Sequence, residues 1–370
     1  MDDMVETYDV GSMPFDGDFK KFSEGATQLV SHSINENLSD SVKYFERMIV
    51  EKFLDKLEAG IDTPNYPQFR DMSKMFLSMI DGIEKLDGGY VEIEKPSLKG
   101  GKSEIPEVSA IRMNSREIYE RNNCSFKIKV CITGPYTLAS LFAYRDPQIY
   151  GRLGGVLSKI VEGNIFDNKY GRVEMVAIDE PLFGLVDDST IDVGSEGRET
   201  LLRAWEKIFH EALRRDVQTC IHLHSTTDEL FWDVESLRVI ETHVDDPLYS
   251  SRRTKELIES RDKLLKASVC ISNFDELIKR KLFSNSKRED VEVTQRIGDV
   301  WKKINSGKAD PNMFLEDINT MRRRLTEAIN RFGSERVVYA GPECGLRSFP
   351  TYECAVECLK RVSKTAKHTK

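Results

Sequence analysis

Short runs of apolar and β-branched residues alternate with longer amphipathic segments along most of the chain. Several of the short runs are apolar almost throughout, which is typical of parallel strands that are covered on both faces. The runs lie at residues 7–11, 90–94, 126–134, 173–180, 217–224, 238–244, 267–273 and 336–341. Strands that alternate with helices in this way predict an α/β protein, and eight of them predict a (β/α)8 barrel, the TIM-barrel architecture.

The clearest helical pattern between these runs falls in residues 314–332. Apolar side chains recur there at spacings of three and four, which places them on one face of a helix. Asp310 and Pro311 predict the start of this helix, and Gly333 predicts its end. The apolar positions are Phe314, Ile318, Met321, Leu325, Ile329 and Phe332.

No linker marks a domain boundary, so we predict that residues 1–370 form a single domain. Two polar stretches interrupt the alternation of strands and helices. Residues 95–123 follow the second predicted strand and residues 281–312 follow the seventh, and we interpret both stretches as insertions into the barrel. The basic tail at residues 360–370 is expected to fray.

Composition and charge narrow the class of protein. The chain has 370 residues, of which 39% are hydrophobic and 31% are charged, as in ordinary globular proteins. The net charge of −8 argues against nucleic acid or an anionic membrane surface as a partner. No run approaches the roughly 20 apolar residues of a membrane span. The acidic start lacks the features of a secretory signal, so we predict a cytoplasmic protein with reduced cysteines.

Candidate metal ligands stand at the ends of three predicted strands. His222 and His224 lie in CIHLHS, His243 lies in VIETHVDD, and Cys344 lies in YAGPECGL. Residues two apart on a strand share a face, so His222 and His224 point the same way. Three imidazoles and one thiolate suit a four-coordinate Zn²⁺ site. The alternative is that these residues have only packing roles.

The remaining cysteines compete weakly for a metal. Cys354 and Cys358 are four residues apart in a segment with the pattern of an amphipathic helix, whose apolar face includes Tyr352, Val356 and Leu359. The other four cysteines are most simply small buried side chains. These are Cys124, Cys131, Cys220 and Cys270.

Two further groups of residues are candidates for substrate binding. Asp179 and Glu180 end the fourth predicted strand, where polar residues of a barrel face the active site. Since adjacent strand residues face opposite ways, one carboxylate should point inward, and Asp179 could bind a substrate ammonium group. Gly11 and Ser12 follow the first strand in a turn whose backbone N–H groups could hold a carboxylate. The alternative for both groups is a turn without a functional role.

Five motifs together resemble the catalytic domain of cobalamin-independent methionine synthases, and in particular the short archaeal, single-domain members. They are DVGSMP, CITGPYTLAS, VAIDEPLFG, CIHLHS and GPECGLRS, in the order and approximate spacing of that family, and the resemblance extends over residues 8–362. GPECGLRS is the most specific, because it resembles the signature N-P-D-C-G-L-K. The resemblance implies a TIM barrel whose catalytic zinc binds homocysteine as a thiolate. It implies a folate-type pterin or a methylated corrinoid protein as the methyl donor.

The resemblance also implies roles for individual residues. His222 and Cys344 match zinc ligands of the family, while His224 stands where the family has a zinc-binding cysteine. The family's zinc-binding glutamate falls near His243, with Glu241 and Asp245 as alternatives.

For the substrate, Asp179 matches the aspartate that holds the ammonium group of homocysteine, and Gly11 and Ser12 match the turn that holds its carboxylate. The family's acid histidine falls near Asn273, which we therefore name with Asp179 as a candidate catalytic residue. Gln68 is the nearest polar residue in a region where the family carries an amine-binding glutamate. Gln68 and Glu180 complete the predicted substrate contacts.

The sequence therefore predicts a zinc-dependent thiol S-methyltransferase. Neutral histidines in place of anionic ligands make the site more positive, which lowers the pKa of a bound thiol but weakens the thiolate as a nucleophile. One alternative is an alkyltransferase that uses another thiol, such as coenzyme M. A second is a metal-dependent hydrolase, in which three histidines and an open position activate water. A third is a protein that kept the barrel and lost the chemistry.

Overall fold

The computed structural model describes residues 5–31, 38–283 and 290–367, and its centre is a curved, seven-stranded parallel sheet. The strand order is β1-β9-β8-β7-β6-β5-β4, and every neighbouring pair is parallel. The strands of this sheet are β1 Glu6–Thr7, β4 Phe126–Thr133, β5 Gly171–Glu180, β6 Gln218–Leu223, β7 Val239–Glu241, β8 Leu264–Cys270 and β9 Val337–Pro342. Because all of them run in one direction, their carboxyl ends share one edge of the sheet.

Helices connect the strands and pack against the sheet, with α8 on β6, α12 on β8 and α13 on β9. Among the described residues, no helix is long and apolar enough to cross a membrane. The helices are α1 Phe19–Ser31, α2 Asp40–Glu58, α3 Met72–Leu77, α4 Pro106–Met113, α5 Ser115–Asn122, α6 Pro135–Ala139, α7 Ile149–Asn164, α8 Glu196–Leu213, α9 Arg252–Ser260, α10 Phe274–Phe283, α11 Asp290–Asn305, α12 Ile318–Phe332 and α13 Tyr352–Lys367.

An extended segment at residues 63–68 joins the two edges of the sheet. On the β1 side, its backbone N–H groups donate to the carbonyls of Thr7 (2.9 Å) and Gly11 (3.2 Å). On the β4 side, Lys129 N–H donates to the carbonyl of Pro64 (2.9 Å). This segment therefore lies where an eight-stranded barrel has its second strand. Two prolines, which lack the N–H that a ladder needs, break its strand pattern in the sequence.

The strand predicted at residues 90–94 lies outside this sheet, so its assignment as the second barrel strand is wrong. It belongs to an antiparallel hairpin of β2 Ile80–Leu86 and β3 Gly89–Leu98. The two residues between the strands are Asp-Gly, a strong signal for a tight hairpin turn. The stretch 95–123, predicted as an insertion, accordingly begins inside β3 and continues into α4 and α5.

The second predicted insertion and the tail also differ from a simple loop. Residues 281–312 include the end of α10 and the whole of α11, while residues 284–289 lie outside the described part of the chain. The sequence predicted a frayed tail, but α13 continues to Lys367, and its residues Thr365 and Ala366 are buried. Residues 368–370 lie outside the described residues.

The amphipathic helix predicted near residue 314 begins later than expected. Asp310 caps a short 3-10 turn at Pro311–Phe314 instead of the helix itself. The helix α12 starts at Ile318, where the Asp317 side chain accepts the N–H of Thr320, and it ends at Gly333 as predicted. A second aspartate, Asp317, therefore caps the start of α12.

The concave face of the sheet contains buried charges. In β4, Ile128, Val130 and Ile132 join the main apolar core, so Lys129 and its alternate neighbours face the other side. A smaller apolar cluster fills part of that side. Near it, Lys56 Nζ lies 2.7 Å from Asp9 Oδ2, with side-chain exposures of 0% and 4%.

We predict that Asp9→Ala strongly destabilises the fold, because it leaves the buried ammonium of Lys56 without a carboxylate. The expected loss in the free energy of unfolding is about 3–5 kcal/mol. Urea denaturation measures it. The control is Glu120→Ala, which removes the carboxylate of an exposed pair with Arg116 and should change the free energy of unfolding little, because solvent screens such a pair. Similar losses for both variants would contradict the importance of the buried pair.

Candidate metal centre

Four metal-ligand side chains converge at the carboxyl edge of the sheet. They are His222, His224, His243 and Cys344, and one potential ligand atom from each lies within 4.8 Å of the others. Cys344 Sγ is 3.5 Å from Nε2 of His224, and the rings of His224 and His243 are 4.3 Å apart between centroids. Atoms this close could hold one ion.

The parallel pairing of β6 with β5 and β7 fixes the position of His222, the buried residue of the cluster. His222 lies in β6, where it is aligned with Asp179 of β5 on one side and Glu241 of β7 on the other. Its Nδ1 lies 3.2 Å from Oε1 of Glu241, and its Nε2 lies 3.8 Å from Oδ1 of Asp179. Since Nδ1 faces Glu241, Nε2 is the ring nitrogen directed toward the cluster.

A carboxylate that the sequence analysis did not single out fixes the loops that carry the other ligands. Glu343 precedes Cys344, and its Oε2 accepts the N–H of Val244, the residue after His243, at 3.0 Å. Its Oε1 accepts the N–H of Ser272 at 3.0 Å. One buried side chain therefore ties the loops after β7, β8 and β9 together. Only its position beside Cys344 could have suggested this role.

Buried polar atoms without partners support a ligand at this place. Among the described residues, Nε2 of His243, Nε2 of His222 and Oδ1 of Asp179 are buried and make no hydrogen bond. Such atoms are rare in native structures because each forfeits its hydration without compensation. Three nitrogens and one sulfur form a donor set that Zn²⁺ prefers. The residues present therefore fit a metal of this type.

The electrostatics of the cluster favour charge separation. Burial alone would raise the pKa of Cys344, but the nearby imidazoles of His222, His224 and His243 hold it well below its usual value. Burial likewise opposes a charge on His222, yet Asp179, Cys344 and Glu241 raise its pKa to about 10. Burial raises the pKa of Asp179 to about 6, against the effect of His222. A thiolate beside an imidazolium is the resulting charge state.

The alternatives to His243 as the ligand after β7 lie elsewhere. Glu241 is fully buried, and its carboxylate forms ion pairs with Lys129 and Lys266. Asp245 points outward, and its Oδ2 lies 2.5 Å from Nη2 of Arg280. Of the three candidates, only His243 belongs to the cluster.

The turn after β1 packs against the loop of Cys344. The N–H of Leu346 donates to the carbonyl of Ser12 at 2.7 Å, and Ser12 forms an isolated parallel bridge with Gln68. Gly11 has a φ of 131°, and a Cβ on it would lie 2.2 Å from Nδ2 of Asn65, so only glycine fits there. The structure thus brings Gly11, Ser12 and Gln68 to the same edge as the His/Cys cluster.

Asn273 lies at the entrance of the site. It is exposed and lines a cavity of about 790 Å³ together with His224, His243 and Cys344. Its Oδ1 accepts the N–H of Glu276 at 3.1 Å, which caps the start of α10. That contact gives Asn273 a structural role, and its catalytic role stays a prediction.

Glu180 is bonded to groups outside the cluster, and its role in substrate binding stays a prediction. Its carboxylate accepts the N–H groups of Tyr136 (2.9 Å) and Thr137 (2.7 Å) and the indole N–H of Trp205 (2.9 Å). These donors occupy both oxygens, so the residue holds the turn before α6 in place. The alternation of strand residues explains why Asp179 reaches the site and Glu180 does not.

The other cysteines lie away from the cluster. Cys354 and Cys358 are buried in α13, and Sγ of Cys358 is 3.6 Å from Sγ of Cys270. Cys131, Cys220 and Cys270 are buried as expected, whereas Cys124 is exposed. All seven cysteines are free thiols.

The fold of this chain is similar to the folds of two solved methyltransferase structures. No family model matches the chain, and no curated protein matches it. A B12-independent methionine synthase from Shewanella sp. W3-18-1, solved with selenomethionine, superposes with a TM-score of 0.60 at 13% identity, covering 98% of this chain and 97% of its own. A methyltransferase from Methanosarcina mazei has a TM-score of 0.53 at 13% identity, with coverages of 99% and 94%. The chain shares the α/β fold of these enzymes.

We predict that metal binding at neutral pH releases one proton. The donor is His222, because its pKa is raised to about 10 in the metal-free site and only a neutral imidazole can bind a metal. Cys344 contributes none, since its pKa is already well below its usual value. The apparent affinity should therefore fall by about tenfold for each pH unit of acidification. Calorimetric titration with Zn²⁺ in buffers of different ionisation enthalpy measures the proton; a pH-independent affinity contradicts it.

Proposed function

We propose that this protein is a zinc-dependent methyltransferase that moves a methyl group to a thiol. In this proposal the whole chain, residues 1–370, is one (β/α)8 catalytic domain related to the cobalamin-independent methionine synthases. The observation that carries the proposal is the convergence of three histidines and Cys344 at the carboxyl edge of the sheet. Active sites of barrel enzymes lie at this edge. A homocysteine-like acceptor and a methylcorrinoid or methyl-pterin donor fit the resemblance of the motifs.

The proposed metal ligands are His222, His224, His243 and Cys344. Zinc bound there would supply a positive charge that keeps an acceptor thiol deprotonated, and the thiolate is the nucleophilic form. His222 is fully buried within a strand, whereas the other three ligands are half-buried and lie after strand ends. The half-buried histidines are therefore the ligands with most room to yield a position to a substrate thiol.

Asp179 is the proposed contact for a substrate ammonium group. It is 7% exposed, borders His222 and has one buried oxygen without a hydrogen-bond partner. A cation beside the metal cluster would satisfy that oxygen. The turn of Gly11 and Ser12, with Gln68 beside it, is the proposed place for the substrate's carboxylate. Asn273, at the entrance, is a neutral residue, so any proton transfer there would have to involve water.

The rival functions remain distinguishable by chemistry. Another thiol, such as coenzyme M, would use the same metal ligands without an ammonium contact. A hydrolase would use the imidazoles to hold an activated water. The absence of nucleic-acid and membrane partners and the cytoplasmic location stay predictions.

We predict that the purified protein binds about one equivalent of zinc and demethylates methylcobalamin or a methylated pterin only when a thiol is added. Cys344→Ala should weaken zinc binding by more than about 100-fold, since even residues that merely support ligands cost 10–100-fold. Metal analysis and absorbance of the corrinoid measure the two results. The matched control is Cys358→Ala, a buried cysteine of α13 that should retain metal and activity.

Two results would contradict this proposal. The first is a Cys344→Ala variant with a full equivalent of zinc, which would remove the proposed site. The second is turnover without any thiol, which would favour the hydrolase.

For Asp179→Asn we expect the KM for an amino-acid thiol such as homocysteine to rise by about 10–100-fold. The substitution keeps the shape and removes a charge-assisted hydrogen bond, which contributes roughly 1.5–3 kcal/mol. Steady-state kinetics with 2-mercaptoethanol, a thiol without an amine, provide the control and should change little. An equal loss with both thiols would mean that Asp179 has a structural role.

A further inference from the structure

Beneath the metal ligands lies a group of buried charges that the proposed chemistry does not use. Lys129, Glu241 and Lys266 each have a side-chain exposure of 0%. Nζ of Lys129 is 3.1 Å from Oε1 of Glu241, and Nζ of Lys266 is 3.0 Å from its Oε2. The same Oε1 lies 3.2 Å from Nδ1 of His222. One carboxylate is thus surrounded by two ammonium groups and the ring of a proposed metal ligand.

This arrangement is costly for a protein that needs only a packed interior. Taking charges out of water carries a desolvation penalty of several kcal/mol per ion, and well-packed apolar residues often serve stability equally well. The adjacent apolar cluster of Tyr8, Cys131, Cys220 and other residues shows that this face of the sheet can be filled without charges. Because packing alone does not explain the three buried charges, we look for their role in the neighbouring cluster.

We propose that Lys129 and Lys266 hold Glu241 as a fixed acceptor for the Nδ1–H of His222. His222 then presents Nε2, and only Nε2, to the metal. The three residues are positioning residues, and this inference rests on the proposed metal site. Hydrogen bonds of this kind commonly fix the tautomer and the orientation of metal-binding histidines.

The two ammonium groups are themselves anchored independently of Glu241. Lys266 donates to the carbonyl of Pro342, two residues before Cys344, at 2.5 Å. Lys129 lies over the ring of Tyr8, 4.2 Å from its centroid, and Lys266 lies 5.1 Å from the same centroid. The carboxylate between them cannot turn toward the metal without leaving both cations. This explains why the ligand after β7 is His243 rather than Glu241.

The test removes the three charges together, in a variant that combines Lys129→Met, Glu241→Leu and Lys266→Met. An apolar replacement of the whole group is expected to fold, because no charge is left unpaired. Its affinity for Zn²⁺, measured by competition with a chelator, should be about 10–100-fold weaker than that of the wild type. Glu241→Gln, which keeps the shape and removes only the negative charge, should weaken it in the same direction.

A spectroscopic measurement separates positioning from general stability. In protein labelled with ¹⁵N-histidine and loaded with ¹¹³Cd²⁺, the wild type should show coupling from the metal to Nε2 of His222. The triple variant should lose this coupling or divide it between the two ring nitrogens. The matched control combines Asp9→Leu with Lys56→Met, which removes another fully buried ion pair that does not contact Glu241. It should leave both the Zn²⁺ affinity and the coupling unchanged.

The outcomes are distinct. A wild-type protein without Zn²⁺ affinity would overturn the proposed function and this inference together. A wild type that binds Zn²⁺, with a folded triple variant of equal affinity and equal Nε2 coupling, would overturn this inference alone. An equal loss in the control pair would also overturn it, because the effect would then be one of buried charge in general.

Discussion

The parallel register of β5, β6 and β7 is the constraint on which the candidate site depends. It aligns Asp179, His222 and Glu241 side by side across three strands. A slip of one residue in β6 would turn His222 to the opposite face of the sheet. The backbone ladder therefore sets the distances among a carboxylate, an imidazole and a second carboxylate before any loop is placed. The loops then add His224, His243 and Cys344 at the same edge.

Buried charge is the second principle of organisation. The concave face of the sheet holds the pair of Lys56 and Asp9 and the group of Lys129, Glu241 and Lys266, all nearly or fully inaccessible. Each charge has a partner of opposite sign, which is what burial requires. His222 of the His/Cys cluster contacts the second group through Glu241, so buried charges act on the cluster from below.

Much of this organisation could be predicted from the sequence. The apolar runs identified β4 to β9, and polar residues at strand ends identified the four residues of the His/Cys cluster, because both signals are local. The extended segment at residues 63–68 could not be predicted. Pro64 and Pro67 remove the strand pattern from its sequence, and its backbone hydrogen bonds are made to distant residues near β1 and in β4. Glu343 and Lys266 escaped notice for a similar reason: their partners are distant in sequence and only the fold brings them near. The contacts of Glu180 with Tyr136, Thr137 and Trp205 could not be predicted either, because these partners come from other parts of the chain.

The extended segment at residues 63–68 affects how easily the sheet can open. The strand β1 has only two residues, and the segment beside it carries two prolines that cannot donate to a ladder. The junction between the two edges of the sheet thus has fewer backbone hydrogen bonds than the long ladders of β4 with β5 and of β8 with β9. Local opening of a folded protein begins where such bonds are few. The same junction carries Ser12 and Gln68, so a weakly bonded part of the sheet borders one side of the cluster, whereas His222 lies in the six-residue ladder of β6 with β5.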